Sequence, residues 1–182
     1  LAQPEDILDT LMDAAIAAAN PLIALPPYLP ALPKGRTVVL GAGKASAAMA
    51  KAVEENWPGE ISGLIVTRYG FAMPCERIEI IEAAPPVSDA ASRKAASRIL
   101  NIAEELGPDD LCLVLMSGGA SALLVEPAEG ISFADKQEVN RLLLRSGANI
   151  TEMNTVRKHL SAIKGGRLAR ALSSAQVVTL MI

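Results

Sequence analysis

A chain of 182 residues, 51% hydrophobic, 3% aromatic and 20% charged, with a net charge of −3 and a mean hydropathy of +0.31, is too apolar to be disordered. It is long enough to bury one aliphatic core of Ala, Leu, Ile and Val, and no stretch reaches the roughly 18 uninterrupted apolar residues of a membrane span. All twenty acids precede residue 153, whereas Arg157, Lys158, Lys164, Arg167 and Arg170 follow it, which suggests a local anion site or a solvated helix face and not a nucleic-acid surface.

Glu5, Asp6, Asp9 and Asp13 stand where a signal peptide needs positive charge. Cys75 and Cys112 are far apart and form no Cys-x-x-Cys pair, so neither a disulfide framework nor a zinc or other metal site is expected, and a cytoplasmic setting is the simpler reading.

In chain order, residues 4–19 have helical apolar spacing (Ile7, Leu8, Leu11, Met12, Ala15) behind Pro4, and Asn20-Pro21 stops them. Residues 21–33 hold five prolines and cannot be a central strand; they read as a stiff apolar strap against the body. Short apolar runs then alternate with helical segments: strands at 37–40, 64–66, 78–81, 111–116 and 177–182, helices at 44–55, 90–106, from Ala120, to Arg145 and 149–163. Ser132 with Asp135 and Asn149 with Glu152 have capping-box spacing. The fully apolar 111–116 run reads as a strand covered on both faces, and the largely apolar 177–182 run as a buried strand.

This pattern predicts an α/β fold, a three-layer Rossmann-like domain with a mainly parallel sheet and helices on both faces. Residues 1–182 form a single α/β domain, with the N-terminal helix and Pro-rich strap in 1–36 and the sheet with its helices in 37–182. The chain begins at Leu1 and ends inside an apolar run, which leads to the expectation of a fragment of a larger two-domain enzyme.

Three segments carry chemistry. Gly41-Ala42-Gly43-Lys44-Ala45-Ser46 sits at a strand-to-helix turn, where glycines allow a close backbone approach and a lysine adds a point charge suited to phosphate or carboxylate. Val38 and Ala45 rule out a P-loop, and Ser46 replaces the third glycine of a dinucleotide fingerprint. Ser117-Gly118-Gly119-Ala120-Ser121 occupies an equivalent turn and reads as a second anion cradle. Gly-x-Ser-x-Gly is absent, so a hydrolase triad using His159, the only histidine, has little support. On the helix 149–163, at about 100° per residue, Met153, Val156, Leu160 and Ile163 form a packing side, and Asn154, Arg157, Lys158 and Ser161 a polar one. Each segment alone also fits a bland reading: a tight turn with an exposed lysine, a loop, an amphipathic helix.

Taken together, Gly41-Ala-Gly-Lys-Ala-Ser46, Ser117-Gly-Gly-x-Ser-Ala-Leu123, Asp135-Lys-Gln-x-Val-Asn140 and Asn154-x-Val-Arg-Lys-His-Leu-Ser-x-Ile-Lys-Gly-Gly-Arg-Leu-Ala169 resemble the N-terminal domain of bacterial glycerate 2-kinases, whose members are often labelled hydroxypyruvate reductases. The resemblance covers nearly the whole chain from Asp6. It implies ATP-dependent phosphorylation of D-glycerate to 2-phosphoglycerate with Mg²⁺, Lys44 as the active-site lysine, and a second domain closing over the cleft. Its expected binding residues are Gly41, Gly43, Ser46, Ser117, Gly118, Gly119, Ser121, Asn154, Arg157 and Lys158. Two departures stand out: Ala120 where the family usually has glycine, and Pro85-Pro86 where it usually has His-Pro.

Expected partners are glycerate and a nucleotide, with no nucleic acid or membrane; the sequence leaves a homodimer open. Two rival readings are an NAD(P)H-dependent hydroxypyruvate reductase and an anion- or nucleotide-binding module that is inactive alone. The reductase lacks the acid expected at the end of the second strand, where Thr67-Arg68 stands. The kinase reading requires Lys44, the Ser117 turn and Arg157 to meet along one rim of the sheet.

Overall fold

A computed structural model describes residues 3–85 and 88–182, so Pro86 of the Pro85-Pro86 pair lies outside the described residues. The elements are α1 (Pro4–Ala18), α2 (Pro21–Ala24), a 3₁₀ turn (Pro26–Tyr28), β1 (Thr37–Ala42), α3 (Ser46–Asn56), β2 (Ile61–Arg68), β3 (Ile78–Ala83), α4 (Ala90–Glu104), β4 (Leu111–Met116), α5 (Ala120–Leu123), α6 (Phe133–Arg145), α7 (Ile150–His159), α8 (Arg167–Ala171) and β5 (Gln176–Met181).

All strand pairs are parallel, in the order β3-β2-β1-β4-β5. The central strand β1 is buried throughout, because its apolar residues must face packed layers on both sides. Successive side chains point to opposite faces. Val38, Leu40, Leu64, Cys112 and Val114 therefore meet Ala95 and Ile99 of α4, Leu123 of α5 and Leu168 of α8, while Val39, Ile65, Leu113 and Leu115 meet Met49 and Val53 of α3. The result is the expected three-layer α/β domain. Fully burying a side chain such as Ile99 or Leu40 stabilises by about 1.5–3 kcal/mol.

The chain builds β2 and β3 on one side of β1 and then crosses to lay β4 and β5 on the other. That reversal creates a switch point between the carboxyl ends of β1 and β4, where parallel sheets open a crevice. Register pairs Ala42 with Met116, so the Gly43 and Ser117 turns emerge side by side.

The Pro-rich strap forms two short helical turns, and Leu25 is buried with Leu29 beside it against the α3 face. Helix α1 buries none of its residues, and Leu8, Leu11, Met12 and Ile16 are all well exposed. Among the described residues no single helix is long and apolar enough to cross a membrane.

Three expectations are corrected. Strand and helix do not alternate everywhere: residues 69–77 return from β2 to β3 without a helix. The buried Glu54 carboxylate takes the helix's place by accepting the N–H groups of Glu76, Arg77 and Ile78 at 2.8, 2.9 and 3.1 Å. The last strand is not buried; it is an edge strand with Val177 and Met181 exposed, since it pairs only with β4. Helix α7 stops at His159, because Ser161 leaves the helix to bridge Pro127 and donates its hydroxyl to the Glu126 carbonyl at 3.2 Å.

Burial alone would raise the Glu54 pKa, but the three backbone donors, with Arg77, outweigh it and hold the carboxyl below its ordinary value. Its contribution is therefore present above the unfolded carboxyl pKa and lost as pH falls through the lowered folded value. Glu54→Ala is expected to cost about 2–4 kcal/mol in denaturant unfolding at pH 7, with a smaller penalty near pH 3. An equal loss at both pH values would contradict this role.

Candidate functional site

The two turns at the switch point are locked together by polar contacts. The Gly43 N–H donates to the Val66 carbonyl at 3.0 Å, that of Lys44 to the Gly118 carbonyl at 2.9 Å, and that of Ser117 to the Ala42 carbonyl at 3.1 Å. Ser117 Oγ accepts the Ala45 N–H at 2.9 Å and lies 3.2 Å from Ser46 Oγ, which donates to the Leu115 carbonyl at 3.3 Å. Thr67 Oγ1 closes the far side by donating to the Gly43 carbonyl at 3.0 Å.

Gly43 has φ +142°, and a Cβ there would stand 2.1 Å from Ser117 Oγ; only glycine allows the turns this close. Gly119, at φ +92°, starts α5, and a Cβ on it would lie 3.5 Å from Lys44 Cε, so the lysine stem runs along this glycine. Lys44 itself is exposed.

Beside the Ser117 turn opens a cavity of about 450 Å³, enclosed by α5, α6, α7 and the turn before α8. Ser117, Gly119, Ser121 and Arg157 line it together. Gly41, Gly43 and Ser46 are buried behind it at the end of β1, and Ser46 Oγ is engaged inside the protein. Gly118 lies in the exposed turn. Asn154 and Lys158 are exposed on α7 and do not line the cavity; Lys158 lies about 100° around the helix from Arg157 and packs toward Gly165. His159 is exposed, its Nδ1 donating to the Thr155 carbonyl at 2.6 Å. Within the second turn, the Ala120 N–H already donates to the Ser117 carbonyl at 3.3 Å.

Two lysines line the cavity as well: Lys164, which belongs to the basic segment at 153–182, and Lys136, which the sequence did not single out. Lys136 is buried and its Nζ donates to the Leu160 carbonyl at 2.6 Å; Lys164 Nζ donates to the Leu124 carbonyl. Burial lowers the Lys136 pKa, with Glu126 opposing the shift. Burial lowers that of Lys164 to about 7, assisted by the charges of Lys136 and Arg157. The available signal for Lys136 was its place, with Gln137 and Asn140, on the same side of α6 as Leu143 and Leu144, polar groups interrupting an apolar stripe.

Among the described residues no three His, Cys, Asp or Glu side chains gather to hold a metal ion. The cationic lining suits an anion instead.

Residues 7–182 match the family described as domain of unknown function, DUF4147. A protein of Agrobacterium vitis named "Putative hydroxypyruvate reductase" is 58% identical over 177 residues, covering 97% of this chain and 40% of the relative. The D-glycerate 2-kinase of Thermotoga maritima is 41% identical over 174 residues, covering 94% of this chain and 42% of the relative. The crystal structure of a glycerate kinase from Thermotoga maritima superposes with a TM-score of 0.86 at 38% identity, covering 98% of this chain and 44% of that one. The chain thus spans about two fifths of the length of these curated relatives.

Proposed function

This chain belongs to the DUF4147 family, and on that premise we propose that it forms the substrate-gripping part of a kinase that transfers the γ-phosphoryl group of ATP to the 2-hydroxyl of D-glycerate. The observation that supports this reading is that Ser117, Gly119, Ser121 and Arg157 line one crevice, with the Lys44 stem running along Gly119.

Phosphoryl transfer needs in-line positioning and positive charge around the moving group more than covalent participation by the protein. In this proposal the glycerate hydroxyl oxygen bonds to the γ-phosphorus as the bond to the bridging oxygen of ADP breaks, and the hydroxyl proton leaves to solvent. Lys44, exposed beside Gly119, neutralises charge on the phosphoryl group. Backbone amides of the 118–121 turn not already engaged, with Ser121, hold its oxygens. Arg157 faces the organic acid. Ser46 and Ser117 position the turns by fastening β1 to β4, and Gly43 keeps them in contact. Among the described residues no three carboxylates gather to hold Mg²⁺; the ion would arrive bound to the ATP phosphates and offset their charge.

The reductase reading finds less support. Thr67 and Arg68 occupy the end of β2, where a ribose-binding acid belongs; the Thr67 hydroxyl is held by Gly43, and the Arg68 guanidinium stacks 3.7 Å from the Phe71 ring centre. Two assays on the active protein containing this chain separate the readings. The kinase produces ADP from ATP only when D-glycerate is present, and does not oxidise NADH or NADPH with hydroxypyruvate. Cofactor oxidation without ADP formation would overturn the proposal.

A further inference from the structure

Three cations from separate segments line the cavity: Lys136 of α6, Arg157 of α7 and Lys164 of the turn before α8. Among the described residues no carboxylate lines it with them. Glu126, the acid that acts on Lys136, pairs through Oε1 with Arg93 at 3.6 Å, and its Oε2 is buried without a hydrogen-bond partner. Each ammonium has three donors, and one of each is engaged by a backbone carbonyl. The Arg157 Nε is buried without a hydrogen-bond partner.

Capping two carbonyls does not require this arrangement. Neutral donors would serve, and burying like charges together is costly unless something anionic compensates them. The remaining wall is mixed: Val139, Leu143, Leu144 and Leu160 are apolar, whereas Ser88, Ser117, Ser121, Gln137 and Asn140 are polar. Such a lining suits one oxyanion attached to a short carbon chain, with the planar guanidinium presenting paired donors to a carboxylate.

We infer that Lys136, Arg157 and Lys164 form a carboxylate-binding subsite that takes the acid group of the three-carbon hydroxy acid. The inference rests on the kinase reading and assigns the cavity to the acceptor, leaving Lys44 and the 118–121 turn to the phosphoryl donor. A second consequence concerns protons. The charged groups facing Lys164 are Lys136 and Arg157, and with burial they leave it only partly protonated at neutral pH. A bound carboxylate reverses that balance, so binding above pH 7 draws a proton onto Lys164.

The test uses Lys136→Met and Lys164→Met in the active protein containing this chain, with thermal melting as the check on folding and Arg157→Lys as a further variant that retains the charge. Each variant is expected to raise the KM for D-glycerate about 10- to 100-fold while the KM for ATP stays within about twofold. Calorimetric titration of D-glycerate at pH 8 in buffers of different ionisation heat shows proton uptake by the wild type and none by Lys164→Met. An unchanged glycerate KM, or a rise confined to ATP, overturns the subsite; the latter assigns the cations to nucleotide phosphates. Failure of the kinase reading looks different: the wild type forms no ADP, yet D-glycerate binding and its loss in the variants remain measurable by calorimetry.

Discussion

Replacing Lys44 with alanine in the active protein containing this chain is expected to lower phosphoryl transfer to D-glycerate by about 100-fold or more, with little change in thermal stability. Lys44 is exposed and joins none of the ion pairs of the described residues, so the fold loses little when its ammonium goes. Its stem nevertheless lies along Gly119, which lines the crevice, and in the proposed mechanism its ammonium meets the charge on the moving phosphoryl group. A preorganised donor in such a position is worth about 2.7–4 kcal/mol in the transition state. Lys44→Arg is expected to recover only part of the rate, because a planar fork does not reproduce a compact point charge. Turnover of Lys44→Ala equal to the wild type would remove this residue from the mechanism.

The second large effect is on the scaffold. A methyl group on Gly43 would stand 2.1 Å from Ser117 Oγ and 2.6 Å from the Ser117 carbonyl oxygen, at a φ of +142° that side chains rarely adopt. Backbone strain costs about 1–2 kcal/mol, and overpacking typically adds about 1–3 kcal/mol. Gly43→Ala is therefore expected to lose about 2–5 kcal/mol, a fall of roughly 4–20 °C in melting temperature for a domain this size. Substrate binding should weaken with it, because the strained contact is the one that holds the two turns together. Gly118→Ala is the matched control: a Cβ there meets nothing within 4 Å, so stability should change by less than about 1 kcal/mol. Equal losses at the two positions would mean that the Gly43–Ser117 approach does not hold the site.

Much of this architecture was legible in the sequence because it depends on local chemistry. The uninterrupted apolar run at β4 announces a strand covered on both faces, and the glycine turns that follow β1 and β4 fall at the predicted places. The Asn149–Glu152 reciprocal cap starts α7 where its spacing indicates, both partners bonding as expected. At α6 the Ser132 hydroxyl accepts the Asp135 N–H, but the Asp135 carboxylate answers the hydroxyl and not the Ser132 amide, so that cap is only half of a box. What the sequence hid is long-range. Glu54 could substitute for a crossover helix only because residues 76–78 fold back onto α3. Ser161 left its helix for a partner at Pro127, thirty-four residues away in the chain.

The site divides along the same line. The meeting of Lys44 with the Gly119 turn follows from parallel order and register, both set by hydrophobic pattern. Hydroxyls are less readable: Ser46 and Ser117 look like ligand contacts in a glycine-rich turn, yet they face each other across the strand ends. Lys136 and Lys164 lie twenty-eight positions apart in the chain, and only the packing of α6 and the pre-α8 turn around one hollow reveals them as neighbours of Arg157.

If one crevice at the β1–β4 switch point holds both the phosphoryl donor and the acid acceptor, a crystal structure of the active protein with D-glycerate and a non-hydrolysable ATP analogue will show both ligands there. The terminal phosphate is expected within hydrogen-bonding distance of Lys44 and the Ser117–Ser121 turn, with the glycerate carboxylate among Lys136, Arg157 and Lys164. Finding either ligand bound elsewhere on the sheet, with this crevice filled only by water, would contradict that arrangement.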